Sequence, residues 1–344
     1  MKLNSLLPWL CALCLSAGPV MAAPAEAPAA PAAAASAPLV PDLVEAAMRF
    51  GDFNEVERLY GIYGQPGLRS PLTGTPRVQH FWMGIGKVTS SSLNVTEQYY
   101  VQLDALTRQW SQEHPKSVLA QLLYADSLMT HASFHRGTAY ANTVSPASWE
   151  AFGKYNGLAL EQMRRCQTLA AKDSSWNGFM LGLGRALSWE PDRLIRIMED
   201  GLAKNPDHDA LYFSMLEALL PKWGGDLEAI ERFIASVTQR TREKRGFEMY
   251  ARLYGSVSYG EVKQSLFRDT HASWPKMKQG FEDQISRYPF YDHRNVFAYF
   301  ACMAQDRQTL QEQLKLIGSD FFRAAWGDSP ERTFEECKAL AQQL

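Results

Sequence analysis

The chain has 344 residues, of which 46% are hydrophobic and 21% are charged, and this balance is typical of a globular protein with a full core. Its formal net charge of -2 argues against a broad basic face, so we expect no nucleic-acid partner. Aromatic residues make up 12% of the chain, so large flat side chains must fill the spaces between its elements.

The first residues have the features of an export signal. Lys2 supplies a positive start, and the apolar run from Leu6 to Leu15 is too short to span a bilayer comfortably. We therefore predict a signal peptide over residues 1–22, cut after Ala22, and a periplasmic or secreted mature chain with no transmembrane helix. The alternatives are an uncleaved membrane anchor and lipidation at Cys14, whose preceding residues fit a lipoprotein signal poorly.

Alanine and proline dominate the stretch that follows the predicted signal. Repeated prolines prevent a continuous helix, and these residues offer nothing from which a core could be built. We predict a disordered linker over residues 23–40 and a single α-helical, repeat-like domain over residues 41–344. No run of alternating β-branched residues bounded by turns predicts a strand in that domain.

The folded part begins with one helical hairpin over Pro41–Tyr63, where apolar residues recur at helical spacing. The next segment, Gly64–Thr89, is rich in glycine and proline and predicts a long loop with a short helical turn at Val78–Gly84. Helices are then predicted over Thr96–Gln112 and Ser117–His135. Together these patterns are typical of stacked hairpins.

The centre of the chain carries the clearest repeat. Four amphipathic helices in two pairs are predicted over Trp176–Ser188, Arg193–Lys204, Asp209–Leu220 and Leu227–Val237. Phe179 and Phe213 lie 34 residues apart at matching positions, as do Trp189 and Trp223, and this period is typical of tetratricopeptide-like hairpins. The predicted fold class is therefore all-α, with stacked helical hairpins that form an α-solenoid.

Turn residues define the corners on either side of these repeats. Ser145 and Pro146 have the residue types of a helix cap and a first helical position. In the corner Pro221–Asp226, proline stops one helix, Gly224 and Gly225 permit a positive φ, and Asp226 is a good cap for the next helix. We expect Trp223 to fold back over this corner.

Three cysteines follow the predicted signal, and exported chains meet oxidising conditions. Cys302 and Cys337 lie in neighbouring predicted helices near the end of the chain, so they are the one pair that we consider for a disulfide. Cys166 shares an apolar helical spacing with Met163 and Leu169, which indicates a buried free thiol.

Several short motifs in the middle of the chain resemble one bacterial domain family. They are Leu123-Tyr124-Ala125-Asp126, His135-Arg136-Gly137, Trp149-Glu150-Ala151-Phe152, Leu220-Pro221-Lys222-Trp223-Gly224-Gly225 and Tyr250-Ala251-Arg252. With these motifs the chain resembles the family DUF4034 over about residues 110–254. The resemblance implies an organisation similar to tetratricopeptide-like helical arrays. It implies no established activity and therefore no functional residues.

One constellation has the spacing of a metal site. His131 and His135 are four residues apart and therefore share a helix face, which is the geometry of a two-histidine metal clamp. The glutamate of a His-Glu-x-x-His motif is replaced by Ala132. A third ligand would have to come from elsewhere, with Asp126 or the Gly64–Thr89 loop as candidates. The alternative is a pair of helix-end histidines that cap carbonyls or pack against tryptophans.

The leading functional hypothesis is a periplasmic helical-repeat protein whose concave face binds a peptide or another protein. The candidate groove residues are Trp149, Trp176, Trp189, Trp223 and Arg136, although core packing is an alternative role for the tryptophans. A second hypothesis is a cell-envelope hydrolase that uses carboxylates or a metal at His131 and His135. A third is a structural factor with no ligand. The sequence predicts no catalytic residue and no cofactor.

Overall fold

The computed structural model describes residues 39–90, 95–137 and 143–342, so the predicted signal peptide and nearly all of the predicted linker lie outside it. Within the described residues the chain consists of helices joined by turns, and no β-strand is present apart from an isolated bridge between Arg69 and Pro76. The predicted all-α class is confirmed. No helix in these ranges is both long enough and apolar enough to cross a bilayer.

Seventeen α-helices, labelled in chain order, make up the described part of the chain. They are α1 (Val40–Arg49), α2 (Phe53–Tyr63), α3 (Arg77–Thr89), α4 (Glu97–Glu113), α5 (Val118–Arg136), α6 (Pro146–Arg165), α7 (Gln167–Ala170), α8 (Ser174–Ala186), α9 (Pro191–Lys204), α10 (Ala210–Ala218), α11 (Leu227–Arg245), α12 (Glu248–Val257), α13 (Leu266–Asp269), α14 (Trp274–Arg287), α15 (Tyr291–Met303), α16 (Arg307–Ile317) and α17 (Pro330–Gln342). Short turns of other helix types lie at Pro221–Trp223, Ser258–Val262, Lys263–Ser265 and Arg323–Trp326.

Side-chain caps begin several helices where the residue types predict them. Ser145 Oγ accepts the backbone N–H of Ser148 at 3.1 Å, and Pro146 is the first residue of α6. Asp226 Oδ1 accepts the backbone N–H of Ala229 at 2.7 Å at the start of α11. Each cap satisfies one of the N–H groups that a helix leaves without an internal partner. Both predicted caps are therefore confirmed.

Helices that follow one another in the chain pack against one another. Contacts of this kind join α4 to α5, α5 to α6, α8 to α9, α11 to α12, α14 to α15 and α15 to α16. The four predicted central helices correspond to α8, α9, α10 and α11, and α8 also packs on α10. The last of them continues to Arg245, past the predicted end at Val237, because the basic residues that follow still allow a helical turn and favour its negative end.

The predicted loop over Gly64–Thr89 is wrong in its second half, where α3 forms a helix of 13 residues. The buried side chains of Val78, Phe81 and Ile85 recur at helical spacing along it. Gly84 weakens the helical pattern in the sequence, but it is needed for packing. A Cβ at Gly84 would lie 2.6 Å from the carbonyl oxygen of Pro41, so α1 and α3 approach closely only because glycine stands there.

Residues 60–82, which we call the crossing segment, connect the first helices to distant parts of the chain. Its long-range hydrogen bonds join Tyr60 to Asp173, Trp82 to Ser175, Arg69 to Asp209, and Thr73 to His293. These partners lie between 93 and 220 residues away in the sequence. The crossing segment therefore ties the N-terminal helices to the beginning of α8, to the turn before α10 and to α15.

The buried apolar residues form three clusters, one around α1–α3, one between α5, α6 and α8, and a large one from α8 to α17. A disulfide joins Cys302 in α15 to Cys337 in α17, with 5.7 Å between the two Cα atoms, as considered from the sequence. Cys166 is a buried free thiol, which was also predicted.

Candidate functional site

Three of the five predicted groove residues meet on one surface. The guanidinium carbon of Arg136 lies 5.5 Å from the ring centroid of Trp149 and 5.8 Å from that of Trp223. Arg185 lies 4.9 Å from the same Trp223 ring. We call these four residues the Trp–Arg stack, because guanidinium groups and indole rings alternate along it. Each such contact is favourable, since the electron-rich ring face attracts a cation.

Four different elements supply the Trp–Arg stack. Arg136 is the last residue of α5, Trp149 lies in the first turn of α6, Arg185 lies near the end of α8, and Trp223 belongs to the corner after α10. The prediction that Trp223 folds back is supported by its indole N–H, which donates to Glu217 Oε1 at 3.4 Å.

The two glycines after Trp223 serve different purposes. Gly224 has a φ of +90°, a conformation that side chains with a Cβ rarely adopt, as the sequence predicted. Gly225 has no positive φ, but a Cβ there would lie 1.9 Å from the carbonyl oxygen of Leu219. The corner therefore needs one glycine for its backbone conformation and the other for close approach, and together they fix where Trp223 lies.

Several cationic side chains lie at the Trp–Arg stack. Glu217 is the acid nearby, and it lies 2.9 Å from Lys222 and 3.9 Å from Arg185. The Nε atom of Arg185 is buried and has no hydrogen-bond partner among the described residues. Burial lowers the pKa of the Arg136 and Arg185 guanidinium groups. Trp149 is 37% exposed, which leaves part of its ring open to a ligand.

The other two predicted groove residues do not join this surface. Trp176 is only 8% exposed, lies in the cluster between α5, α6 and α8, and donates its indole N–H to the carbonyl of Met163 at 3.3 Å. The ring of Trp189 is covered by the guanidinium of Arg193 at 3.4 Å. Core packing, the alternative given for the tryptophans, therefore describes Trp176, and Trp189 is shielded by its own neighbour.

The two histidines of α5 lie side by side in an aromatic layer. Their ring centroids are 5.0 Å apart, and Tyr155 of α6 stacks on His131 at 3.8 Å and on His135 at 5.4 Å. His131 is fully buried, and its Nδ1 lies 2.6 Å from Asp104 Oδ2 on α4. An ionised carboxylate only accepts hydrogen bonds, so Nδ1 is the donor to it, and in the neutral form of the ring Nε2 then carries the lone pair.

The structure places a different acid beside these histidines from the one suggested by the sequence. Asp126 accepts a hydrogen bond from Thr89 Oγ1 at 2.9 Å, and burial raises its pKa to about 6. Instead, Glu97 Oε1 of α4 lies 3.6 Å from His135 Nε2. One potential ligand atom from each of Glu97, His131 and His135 lies within 4.8 Å of the other two.

The sequence contained a signal for this acid that was missed. Glu97 and Asp104 lie seven residues apart on α4, which is two helical turns, and thus share the face that packs on α5. The preceding helix of the hairpin, rather than α5 itself or the Gly64–Thr89 segment, provides the acids. We call Glu97, Asp104, His131 and His135 the histidine cluster.

A second buried polar cluster was not predicted. Asp209 is completely buried, and its two carboxylate oxygens accept hydrogen bonds from Arg69 at 3.0 Å, Arg245 at 2.7 Å and Arg252 at 2.6 Å. We call the full set the arginine cluster, and its members are Arg69, Asp209, Arg245, Glu248, Arg252 and Arg287. Despite burial, these cations hold the pKa of Asp209 well below its usual range.

A cavity of about 430 Å³ lies between α4, α5 and α6 and was also missed. It is lined by apolar residues such as Leu158 and Leu169, by Gln121 and Gln162, and by the charged side chains of Arg108 and Arg165. The two glutamines are joined by a hydrogen bond of 2.7 Å, so they are already partnered within the wall.

Comparisons with protein-family models, with curated proteins and with solved structures find no match for this chain.

Proposed function

We propose that this chain is an exported helical-repeat protein that binds a peptide or protein partner through the Trp–Arg stack. The proposal includes a tetratricopeptide-like arrangement of hairpins and membership of the DUF4034 family. The 34-residue spacing of matching aromatic residues and the packing of α8 on α9 and on α10 support the repeat arrangement. In such arrays each hairpin contacts mainly its neighbours, which leaves extended surfaces for partners.

Export to the periplasm or secretion is proposed from the leader-like residues 1–22 and from cysteine chemistry. Disulfides persist mainly in oxidising compartments, and the bond between Cys302 and Cys337 supports such a location.

The crossing segment occupies part of the surface between the hairpins, because its hydrogen bonds reach from α8 to α15. A partner is therefore expected to dock at the Trp–Arg stack rather than along a full-length groove.

The single observation that carries the binding proposal is the partly exposed ring of Trp149, which stacks on Arg136 in a row that continues through Trp223 to Arg185. Peptide carboxylates are the groups that complement guanidinium charge, and tryptophan and arginine are the residues enriched at the centres of interfaces. We therefore expect the partner to present an acidic segment, whose carboxylates pair with Arg136 and Arg185 while its apolar atoms pack on Trp149.

Selection of peptides from a displayed random-sequence library tests this proposal. We expect the enriched peptides to share aspartate or glutamate, and their affinity to fall with rising salt because the pairing is electrostatic. Trp149→Ala should weaken the selected peptides by about tenfold or more, as for a residue central to an interface. Arg185→Met should weaken them as well, since it removes a charge but keeps most of the apolar stem.

Two matched variants control for nonspecific effects. Phe50→Ala removes an aromatic ring that is 87% exposed on another part of the chain, and Arg193→Met removes an arginine stacked on the neighbouring Trp189. Neither should change peptide affinity. The proposal is overturned if no sequence class is enriched, or if the selected peptides bind Trp149→Ala and Phe50→Ala equally well.

A further inference from the structure

Two ring nitrogens in the histidine cluster have no hydrogen-bond partner among the described residues. The Nε2 atoms of His131 and His135 are both shielded from solvent, and neither makes a hydrogen bond among the described residues. Buried polar atoms in folded proteins are almost always paired, so two adjacent exceptions on one helix face need an explanation. A bound cation that accepts a lone pair from each nitrogen would explain both exceptions.

The remaining atoms of His131 prepare it to be such a donor. In the neutral ring, Nδ1–H donates to Asp104 Oδ2 at 2.6 Å, and this tautomer has its lone pair on Nε2. A carboxylate that accepts from the far nitrogen of a metal-bound histidine is the usual outer partner of zinc sites, where it orients the ring and raises its basicity. Tyr155, stacked at 3.8 Å, further restricts rotation of the His131 ring.

We propose that Glu97, His131 and His135 bind a divalent transition metal ion of the zinc type, with Asp104 as the positioning residue behind His131. Ligand atoms from the three residues already lie within 4.8 Å of one another. Zinc bound tetrahedrally at about 2.0–2.1 Å needs ligand atoms roughly 3.3 Å apart, so a modest closure would bring the three protein ligands into place and leave the fourth position to water. Glu97 is 58% exposed and is free to make that movement, and its oxygen is already 3.6 Å from His135 Nε2.

The donor set selects the class of metal. Two imidazole nitrogens and one carboxylate oxygen suit zinc and similar ions, whereas magnesium and calcium prefer oxygen ligands throughout. The carboxylates of Glu97 and Asp104 bring two negative charges to the cluster, and Lys154, which lies 5.1 Å from the Tyr155 ring, brings one positive charge. The two carboxylates favour a cation beside the imidazole rings.

Zinc titration of the full chain after chelator treatment, followed by calorimetry and elemental analysis, tests the proposal. We expect one zinc ion per chain, a higher Tm with zinc, and no response to magnesium. His135→Gln and Glu97→Gln should each weaken zinc binding by about tenfold or more, and Asp104→Asn by about 10–100-fold, as outer partners of metal ligands do. Glu97 and His135 are partly exposed, so these two variants are expected to fold.

His114→Gln is the matched control, because it removes another histidine from the exposed end of α4 and should leave zinc binding unchanged. Circular dichroism of each variant separates loss of the metal from loss of the fold. The proposal is overturned if the wild-type chain takes up no stoichiometric zinc, or if folded His135→Gln binds zinc as tightly as His114→Gln does. It does not depend on peptide binding, so either proposal can fail alone.

Discussion

The arginine cluster and the histidine cluster both bury ionisable groups, but they satisfy them to different degrees. In the arginine cluster, both oxygens of Asp209 accept hydrogen bonds, and the three arginines that donate them come from the crossing segment, α11 and α12. In the histidine cluster, Nδ1 of His131 has a hydrogen-bond partner, but the Nε2 atoms of His131 and His135 have none within the part of the chain that the structure describes. The first cluster therefore satisfies its buried carboxylate internally, and the second is the one for which we propose a ligand.

This difference separates a structural role from a functional one. A buried ion network that is fully paired holds distant segments of the chain together. Its interactions contribute to the stability of the folded chain without a ligand. In a buried cluster with unpaired lone pairs, those polar atoms have lost their hydrogen bonds to water. A ligand that binds them can offset this free-energy cost. The variants below are ordered from the largest expected effect to the smallest, and each probes one side of this comparison.

Asp209→Asn should have the largest effect on stability. It removes the charge that holds three buried guanidinium groups together, and breaking a buried ion pair on one side typically costs about 3–5 kcal/mol. Urea unfolding measures the loss. Glu199→Gln is the control, because its ion pair with Arg240 is exposed on both sides and should contribute at most about 1 kcal/mol. Equal losses for the two variants would mean that the arginine cluster is not structural.

Asp104→Ala should have an intermediate effect. It leaves Nδ1 of the buried His131 without an acceptor, and an unsatisfied buried donor costs about 1–3 kcal/mol. Urea unfolding in the presence of a chelator measures this effect without metal. Glu113→Ala, at the exposed end of the same helix, should change the free energy of unfolding by no more than about 0.5 kcal/mol. A loss in Asp104→Ala no larger than that would contradict the proposed positioning role.

Asp292 is a buried acid that contrasts with Asp209. Among the described residues, no arginine donates a hydrogen bond to its carboxylate. Burial raises its pKa to about 7, so the folded chain holds a proton that the unfolded chain releases above about pH 4. This group therefore lowers stability as pH rises from about 4 to about 7. Asp292→Asn should be more stable than wild type at pH 8, by about 1 kcal/mol or more, and similar at pH 4.

Urea unfolding of wild type and Asp292→Asn at pH 4 and pH 8 measures this difference in the free energy of unfolding. The control is Asp320→Asn, which changes an exposed acid. Asp320→Asn should show no such pH-dependent gain. If Asp292→Asn were less stable than wild type at pH 8, the carboxylate would have a partner that stabilises its charge, and the contrast with Asp209 would disappear.

Glu97→Gln should have the smallest effect on stability when no metal is present. Its side chain is mostly exposed and lies 3.6 Å from His135, and such a surface contact changes the free energy of unfolding by no more than about 0.5 kcal/mol. Unfolding in chelator measures this. A large loss would assign Glu97 a structural role and would weaken the contrast between the two clusters.

Local patterns in the sequence were sufficient for the helices and caps, but not for contacts between distant segments. The corner at Trp223 was predicted because proline, glycine and aspartate act within a few residues of one another. The helix α3 was missed because Gly84 weakens its pattern, and only the close approach of α1 explains why glycine is there. Arg69 and Asp209 are 140 residues apart, and no spacing rule connects residues at such a distance.

For the candidate sites, too, the sequence indicated residues close together in the chain but not their distant partners. The spacing of His131 and His135 indicated a clamp, but its third potential ligand comes from α4, whereas the sequence alone suggested Asp126 or the Gly64–Thr89 loop. Among the tryptophans, helical periodicity does not distinguish a buried ring from an exposed one. Trp149 and Trp176 therefore appeared equivalent until the packing of α6 and α8 separated them.

The most direct test of the contrast between the two clusters is the free energy of unfolding, measured by urea with zinc and with chelator. We expect zinc at about 100 times its dissociation constant to stabilise wild type by roughly 2.7 kcal/mol. The less stable Asp209→Asn variant should gain the same amount, and His135→Gln, with its zinc affinity lowered tenfold or more, should gain about 1.4 kcal/mol or less. The account is contradicted if zinc leaves wild type unchanged, or if Asp209→Asn loses its response to zinc while His135→Gln keeps it.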